Sequence, residues 1–308
     1  MNSTVNTLLT EQCTEWEVCG TNYAALETVE VRSTTINGYA FKVQFNPKRI
    51  QSSAAKVDPK SIQERKCFLC DQNRPSVQRG IPFTSGQGNE YTILVNPFPI
   101  FRKHLTIPST EHKDQLIAGK IEDMLELAAT IDDYLIFYNG PKCGASAPDH
   151  FHFQAGNKGF LPIETDMEQL IATKAARIER GVYLLPDALT ATIICRSGQP
   201  ADIAEWFNRF YAKLAELDRS GAEPMLNILA WKTEEFYYLV VYPRRAHRPT
   251  QFFAEGDANI LLSPASIDLG GIFITPLEKD FRKLTDADIQ DILRQISVTP
   301  ETLKDLIR

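Results

Sequence analysis

The sequence predicts an α+β protein in which an antiparallel sheet is flanked by helices, and three observations lead there. Short apolar runs bounded by Gly and Pro recur along the chain as strands, among them YTILV (91–95), HLTIP (104–108) and YLIFYN (134–139). Segments with helical spacing lie between them, giving a strand-strand-helix unit. The second half looks like a weaker echo of the first, because FYYLVVYP followed by RRAH ends much as HLTIP followed by STEH does.

Taken in order, residues 1–30 read as a helical lead-in around Leu8, Leu9 and Trp16. A strand pair follows, Val29 to Val31 and Tyr39 to Phe45, turning at Asn37-Gly38. Residues 46–90 hold too many breakers for long regular elements, yet they contain a close cysteine pair that a metal would order. Apolar Ile117, Ile121, Leu125, Ala128 and Ile131 predict a helix from Leu116 to Tyr134. After YLIFYN comes the loop GPKCGASAPD (140–149), then HFHFQ (150–154), whose alternation predicts a strand with His150, His152 and Gln154 on one face. The second half predicts a helix from Ala201 to Leu217 and strands at 225–231 and 236–243, then the strand GIFITP and a final helix from Asp286 onward.

Composition narrows the function. With 308 residues, 43% hydrophobic and 23% charged, the chain is an ordinary globular sequence with room for one large domain or two fused halves. A net charge of -6 argues against a general nucleic-acid binder, so any phosphate site is locally basic. No window approaches a membrane span and no basic n-region precedes an apolar run, so a cytoplasmic location without membrane attachment is expected. Only Cys67 and Cys70 of the six cysteines are close, which in a reducing compartment suggests metal rather than a disulfide framework.

The chemistry concentrates in Asn139 to Gln154. Two imidazoles and an amide follow a loop of small residues whose backbone N–H groups near Gly144 to Ser146 can face a phosphate. An imidazole that attacks phosphorus forms a phosphoramidate and divides one difficult transfer into two easier ones. Alternating histidines are also what the polar face of a plain strand looks like. The small-residue loop, the upstream CxxC and the total of five histidines favour the chemical reading.

Asn139-Gly140, Gly144, Ser146, Pro148 and the run His150-Phe151-His152-Phe153-Gln154 resemble the active-site signature of galactose-1-phosphate uridylyltransferase and its nucleotide-phosphorylase relatives in the histidine-triad superfamily. The resemblance implies a histidine-triad-like fold in two related halves. Residues 1–165 would be a catalytic half and residues 166–308 a degenerate second half within one compact unit. It implies His152 as the nucleophile and Gln154 as a contact of the transferred phosphoryl group. Two positions depart from the uridylyltransferase pattern: Asp149 separates Pro148 from His150, and Phe151 replaces the usual proline. Both tilt the expectation toward phosphorolysis.

Cys67 and Cys70 fit two corners of a tetrahedral zinc site. The resemblance supplies His150 and a histidine after HLTIP as the other two; His112 fits that place, with His104 in reserve. Zinc would then be structural, and the single histidine of the C-terminal half, His247, leaves no second metal site of the kind some uridylyltransferases carry. Arg49, Lys56 and Lys142 are the expected phosphate-binding cations, beside Asn139, Gly144 and Ser146; Arg244, Arg245, His247 and Arg248 form a second basic cluster on the acceptor side. The expected partners are a nucleotide or nucleotide-sugar substrate and a phosphate or sugar-phosphate acceptor, in a chain that the resemblance suggests is a homodimer. The competing readings are a nucleotide-binding or sensing protein on the same scaffold, and a zinc hydrolase with an open metal position.

Overall fold

The first hairpin turns where the sequence places it. β1 (Glu30–Ile36) pairs antiparallel with β2 (Tyr39–Phe45), and Asn37 and Gly38 between them stand at φ of 52° and 75°, the two positive angles of a type I′ turn. The computed structural model describes residues 1–50, 58–185, 188–219 and 221–307. The helical lead-in is two helices, Asn2–Glu15 and Glu17–Ala25, because Trp16 takes an extended conformation between them.

The next ten strands make one sheet. They are β3 (Gly80–Thr84), β4 (Glu90–Val95), β5 (His104–Pro108), β6 (Tyr134–Asn139) and β7 (His152–Asn157) from the first half. The second half contributes β8 (Ala176–Glu179), β9 (Val182–Leu184), β10 (Ile193–Ser197), β11 (Leu226–Lys232) and β12 (Tyr237–Pro243). Their order is β3-β4-β5-β7-β6-β11-β12-β10-β9-β8, antiparallel at every junction. Read outward from the central β6–β11 pair, each half runs through its strands in the same sequence order. A helix enters at the matching point of each, Ile121–Thr130 before β6 and Pro200–Leu217 before β11. The sheet is therefore α+β, antiparallel and flanked by helices, as the alternating patterns predict. β13 (Ile272–Thr275) lies outside it, parallel to β2 in a separate three-stranded sheet.

Every residue of β6 is buried, because both faces of the sheet are covered. Ile136 and Tyr138 point into a core closed by the helices Asn2–Glu15, Ile121–Thr130 and Pro200–Leu217. Leu135 and Phe137 point the other way, into a core shared with Phe41, Val43 and Phe273 of the small sheet and with the helix Asp286–Ile296. Among the described residues no helix is long and apolar enough to cross a membrane.

Three expectations change. The predicted helix 116–134 is shorter, Ile121–Thr130, since the residues before it bond elsewhere: the Leu116 N–H closes a turn on the Asp114 carbonyl, the Ile117 N–H donates to the Glu223 carboxylate and the Lys120 N–H to the Ile117 carbonyl. The tail helix is two helices, Asp286–Ile296 and Pro300–Ile307, with Pro300 opening the second. The strand at HFHFQ begins only at His152: the His150 N–H donates to the Ala147 carbonyl at 3.1 Å in a turn, so His150 leaves the face that His152 and Gln154 share. β8, β9 and β10 escape the sequence patterns because they are short, and β8 is largely exposed.

The halves are tied around the 140–151 loop by a buried polar chain. Arg244, 2% exposed, donates to Asn227 Oδ1 at 2.6 Å and to the carbonyls of Pro264, Ala246 and His247 at 3.0 Å each. Asn227 Nδ2 in turn donates to Asn139 Oδ1 and to the Cys143 carbonyl, both at 2.8 Å. Arg244→Met keeps much of the side-chain volume but leaves these acceptors without their donor. At roughly 1–3 kcal/mol for each unsatisfied buried group, a loss of at least about 3 kcal/mol is expected in denaturant unfolding.

Candidate active site and metal centre

β6 and β7 remain paired only from Tyr134↔Asn157 to Phe137↔Gln154. Beyond that point they part, and the 140–151 loop runs between them. The parting opens a cavity of about 510 Å3 floored by Phe137, Asn139, His152 and Gln154. Its walls are the loop residues Gly144 to Ser146, the knuckle residues Phe68 and Leu69, the strand residues Asn96 and Thr106, Arg49, and the segment from His247 to Asp268. Gly144, at φ 97°, is required here twice over: the angle suits glycine, and an added Cβ would stand 2.6 Å from the Ala265 Cβ.

Hydrogen bonds fix the tautomers of His152 and His104. His152 Nδ1–H donates to the carbonyl of His150 at 2.8 Å, so Nε2 carries the free lone pair. Burial pushes the His152 pKa down to about 4, with the neighbouring His150 ring acting in the same direction, so the imidazole is neutral at neutral pH. His104 Nδ1 accepts the Ile100 N–H at 3.1 Å, which puts its proton on Nε2, and that proton goes to Gln154 Oε1 at 3.1 Å. Gln154 thus has its oxygen occupied and its NH2 group left as the donor on the cavity side. His104, the reserve metal candidate, is not near the thiols; it orients Gln154.

The four other sequence candidates converge. Cys67 Sγ is 3.3 Å from His150 Nδ1, and Cys70 Sγ is 3.2 Å from His112 Nδ1 and 3.5 Å from His150 Nδ1. All four donor atoms lie within 4.8 Å of one another. A thiolate and an imidazole nitrogen on one tetrahedral metal stand about 3.6 Å apart, so the cluster can hold a metal with little movement. His150 Nε2–H donates to the Ser109 carbonyl at 2.9 Å, which leaves Nδ1 deprotonated toward the thiols, the orientation that metal-bound histidines require. Asp149, the residue that breaks the motif, pairs with Arg65 at 2.6 Å, and the Arg65 guanidinium stacks on Phe68 of the knuckle.

The cations divide. Arg49 lines the cavity, donates to the Phe98 carbonyl at 2.6 Å, and keeps its buried Nε without a partner. Burial lowers its pKa to about 10, partly offset by Asp268. Arg248 also lines the cavity, bound through Nε to Ser263 Oγ at 3.1 Å and stacked on Phe252 at 4.0 Å. Lys142 is exposed on the outer side of the loop, toward Gly221, and is not in the cavity wall. Lys56 lies outside the described residues. Asn139 is in the wall, but its Oδ1 is engaged by Ser266 and Asn227. Arg244 is buried behind the wall, and Arg245 binds the carbonyls of Arg294 and Gln295 on the outer surface. Sequence reading missed Gln115, Asn96 and Asp268, whose single polar letters carry no pattern.

A family model described as a domain of unknown function, DUF4922, matches residues 8–157, the segment that holds the cavity floor, the knuckle and all four metal-ligand candidates. No curated protein matches the chain. Among solved structures, the yeast Ap4A phosphorylase Apa2 superposes with a TM-score of 0.62 at 16% identity, over 91% of this chain and 96% of that one. Its complex with Ap4A gives 0.59 at 16% identity over 92% and 97%, and its complex with AMP gives 0.59 at 17% over 93% and 96%. At these identities the likeness establishes the fold, and it spans both halves.

The neutral, buried His104 yields a pH prediction. Its folded pKa of about 3, set first by burial and then by Arg49, lies below the ordinary histidine value of 6.5. The unfolded chain therefore binds a proton here that the folded chain refuses, so this residue's contribution to stability falls as pH drops from about 6.5 toward 3. Thermal unfolding of wild type and His104→Gln between pH 7.5 and 5 should show a shallower acid loss of Tm in the variant.

Proposed function

We propose that the chain is a nucleotidyl-transferring enzyme of the histidine-triad superfamily that works through a covalent nucleotidyl-His152. The observation that carries this reading is the tautomer lock: a buried, neutral imidazole whose Nδ1–H is held by its own chain and whose Nε2 lone pair is left for the cavity. In the first step Nε2 attacks the α-phosphorus of the donor, the P–N bond forms, and the bond to the departing polyphosphate or sugar phosphate breaks. An acceptor phosphate oxygen then attacks the same phosphorus, and the P–N bond breaks to return neutral His152. The Gln154 NH2 group, the loop N–H groups near Gly144 to Ser146 and Arg49 supply donors for the charge on the phosphoryl oxygens.

A dinucleoside polyphosphate is the donor we favour over a nucleoside-diphosphate hexose, with phosphate as acceptor. The fold of the yeast phosphorylase, whose structures contain Ap4A and AMP, supports this. So do the two cavity arginines, which among the described residues have no carboxylate in hydrogen-bond contact, and an acceptor side whose Ser263 is already engaged by Arg248. We assign zinc to Cys67, Cys70, His112 and His150. With four protein ligands the ion is structural and leaves no open position for a hydrolytic water.

Intact-mass measurement after brief incubation with Ap4A, UDP-hexose, GDP-hexose or ADP-hexose tests the proposal. The expected result is a gain of one nucleoside monophosphate by wild type and none by His152→Ala. Binding by thermal shift without an adduct from any donor would overturn it in favour of a nucleotide-binding protein. Elemental analysis should find about one zinc per chain, lost in Cys67→Ser, and chelation should lower Tm on the order of 10 °C.

A further inference from the structure

Where β6 and β7 part, the backbone of His152 loses its neighbour: the Phe151 carbonyl takes the Ser109 N–H next to β5 at 2.9 Å, so by strand alternation the His152 N–H and carbonyl point the other way, to the side that β6 has left. A strand edge left open in this way inside the molecule would strand the His152 N–H and carbonyl. Gln115 fills the gap. It is fully buried, and its Oε1 accepts the His152 N–H at 2.7 Å while its Nε2 donates to the His152 carbonyl at 3.0 Å and to the Asn139 carbonyl at 3.1 Å. One side-chain amide thus stands in for a peptide unit of the missing strand and bridges the ends of β6 and β7.

The amide is itself fixed from both sides. The Gln115 N–H donates to the Pro148 carbonyl at 3.1 Å, and the single proton of the Tyr138 hydroxyl lies between two acceptors, the Gln115 carbonyl at 3.0 Å and the carboxylate of buried Glu223 at 2.7 Å. Two residues earlier the Lys113 carbonyl accepts the Phe151 N–H at 2.5 Å. Three residues earlier stands His112, one of the four converging metal-ligand candidates. The segment 112–115 therefore runs from the metal centre to the nucleophile, and a bound metal would hold one end of it.

We infer that Gln115 is a positioning residue for His152, and that the metal centre acts on the nucleophile through it. The consequence rests on the nucleotidyl-histidine reading for its effect on rate, but the geometry can be tested without turnover. A shift of the reacting nitrogen by about 1 Å costs up to about a hundredfold in rate. Gln115→Met keeps the shape and removes all three bonds. Gln115→Glu keeps the acceptor for the His152 N–H and removes the donor to both carbonyls.

The test uses full-length protein with 15N-labelled histidine, read by amide hydrogen exchange and imidazole nitrogen shifts, with zinc content measured in parallel. In Gln115→Met the His152 amide should exchange at least about tenfold faster and its Nδ1–H tautomer should become mixed, while zinc remains bound. Nucleotidylation should slow by about ten- to a hundredfold with donor affinity retained. Gln115→Glu should restore amide protection in part, and it carries the same readouts if the methionine variant does not fold. Chelated wild type should show the same loss of protection at His152. A folded, zinc-loaded Gln115→Met with a wild-type His152 amide and tautomer would overturn the assignment of Gln115. A chelated protein that keeps the His152 amide protected would overturn the link to the metal. Failure of any adduct to form, with the amide freed as expected, would remove the nucleotidyl reading and leave the positioning role standing.

Discussion

Everything in the site depends on one interruption of the sheet. Two adjacent central strands, β6 and β7, stop pairing after Phe137↔Gln154, and the chain between Asn139 and His152 must leave the sheet and return to it. An open gap in a buried sheet exposes backbone groups to an environment that cannot hydrate them, at roughly 1–3 kcal/mol for each one left unpaired. The molecule closes the gap with side chains: Gln115 at the β7 margin, Asn227 and Ser266 at the β6 margin through Asn139, and Arg244 behind them. Because each closure uses a polar group of fixed geometry, the loop between the strands is held in one shape. That shape is what makes a ligand-sized cavity out of a fault in the sheet.

The metal centre belongs to the same solution. Residues 58–79 carry little regular structure, a six-residue helix and a short 3-10 turn, and make no wall by strand pairing. Four soft and borderline donor groups from three stretches of chain converge there and would give that segment a fixed point with a metal bound, and Phe68 and Leu69 between the two cysteines line the cavity. His150 links both functions within three residues. Its ring faces the thiols, while its carbonyl sets the tautomer of His152. A metal held by that ring would in this way bear on where His152 Nε2 points.

Much of this was legible in the sequence, and the limits are physical. Asn37-Gly38, the alternating apolar strands and the two helices before β6 and β11 follow from local preferences, so they could be read one segment at a time. The CxxC and the paired histidines announce themselves because few structural settings need those residue types at those spacings. His112 over His104 could be resolved only in three dimensions, since both flank the same strand and differ in which end of it they occupy. Lys142 looked favourable because it sits in the loop, but a loop has two sides and its side chain takes the outer one. Gln115, Asn96 and Asp268 carry no spacing signal at all; their roles come from strands that are distant in sequence.

The second half shows why a repeated architecture need not repeat a site. β11 and β12 occupy the places that β6 and β7 hold in the first half, yet they stay paired from Leu226↔Pro243 to Lys232↔Tyr237 and turn over residues 233–236 alone. With no parting of the strands there is no gap, and with no gap there is neither a loop to wall a cavity nor unpaired backbone for an amide such as Gln115 to hold. What this half contributes lies instead at its far end, where the chain leaving β12 brings Arg244 behind the cavity wall and His247 and Arg248 into it. The Arg248 guanidinium lines the cavity with its face on Phe252 and one edge on Ser263, among the described residues in hydrogen-bond contact with no carboxylate, and Arg49, which has Asp268 as a charge neighbour, lines the same cavity. Two cations lining one cavity favour an anion bound between them. An anion held there would make the unbroken half the electrostatic complement of the broken one.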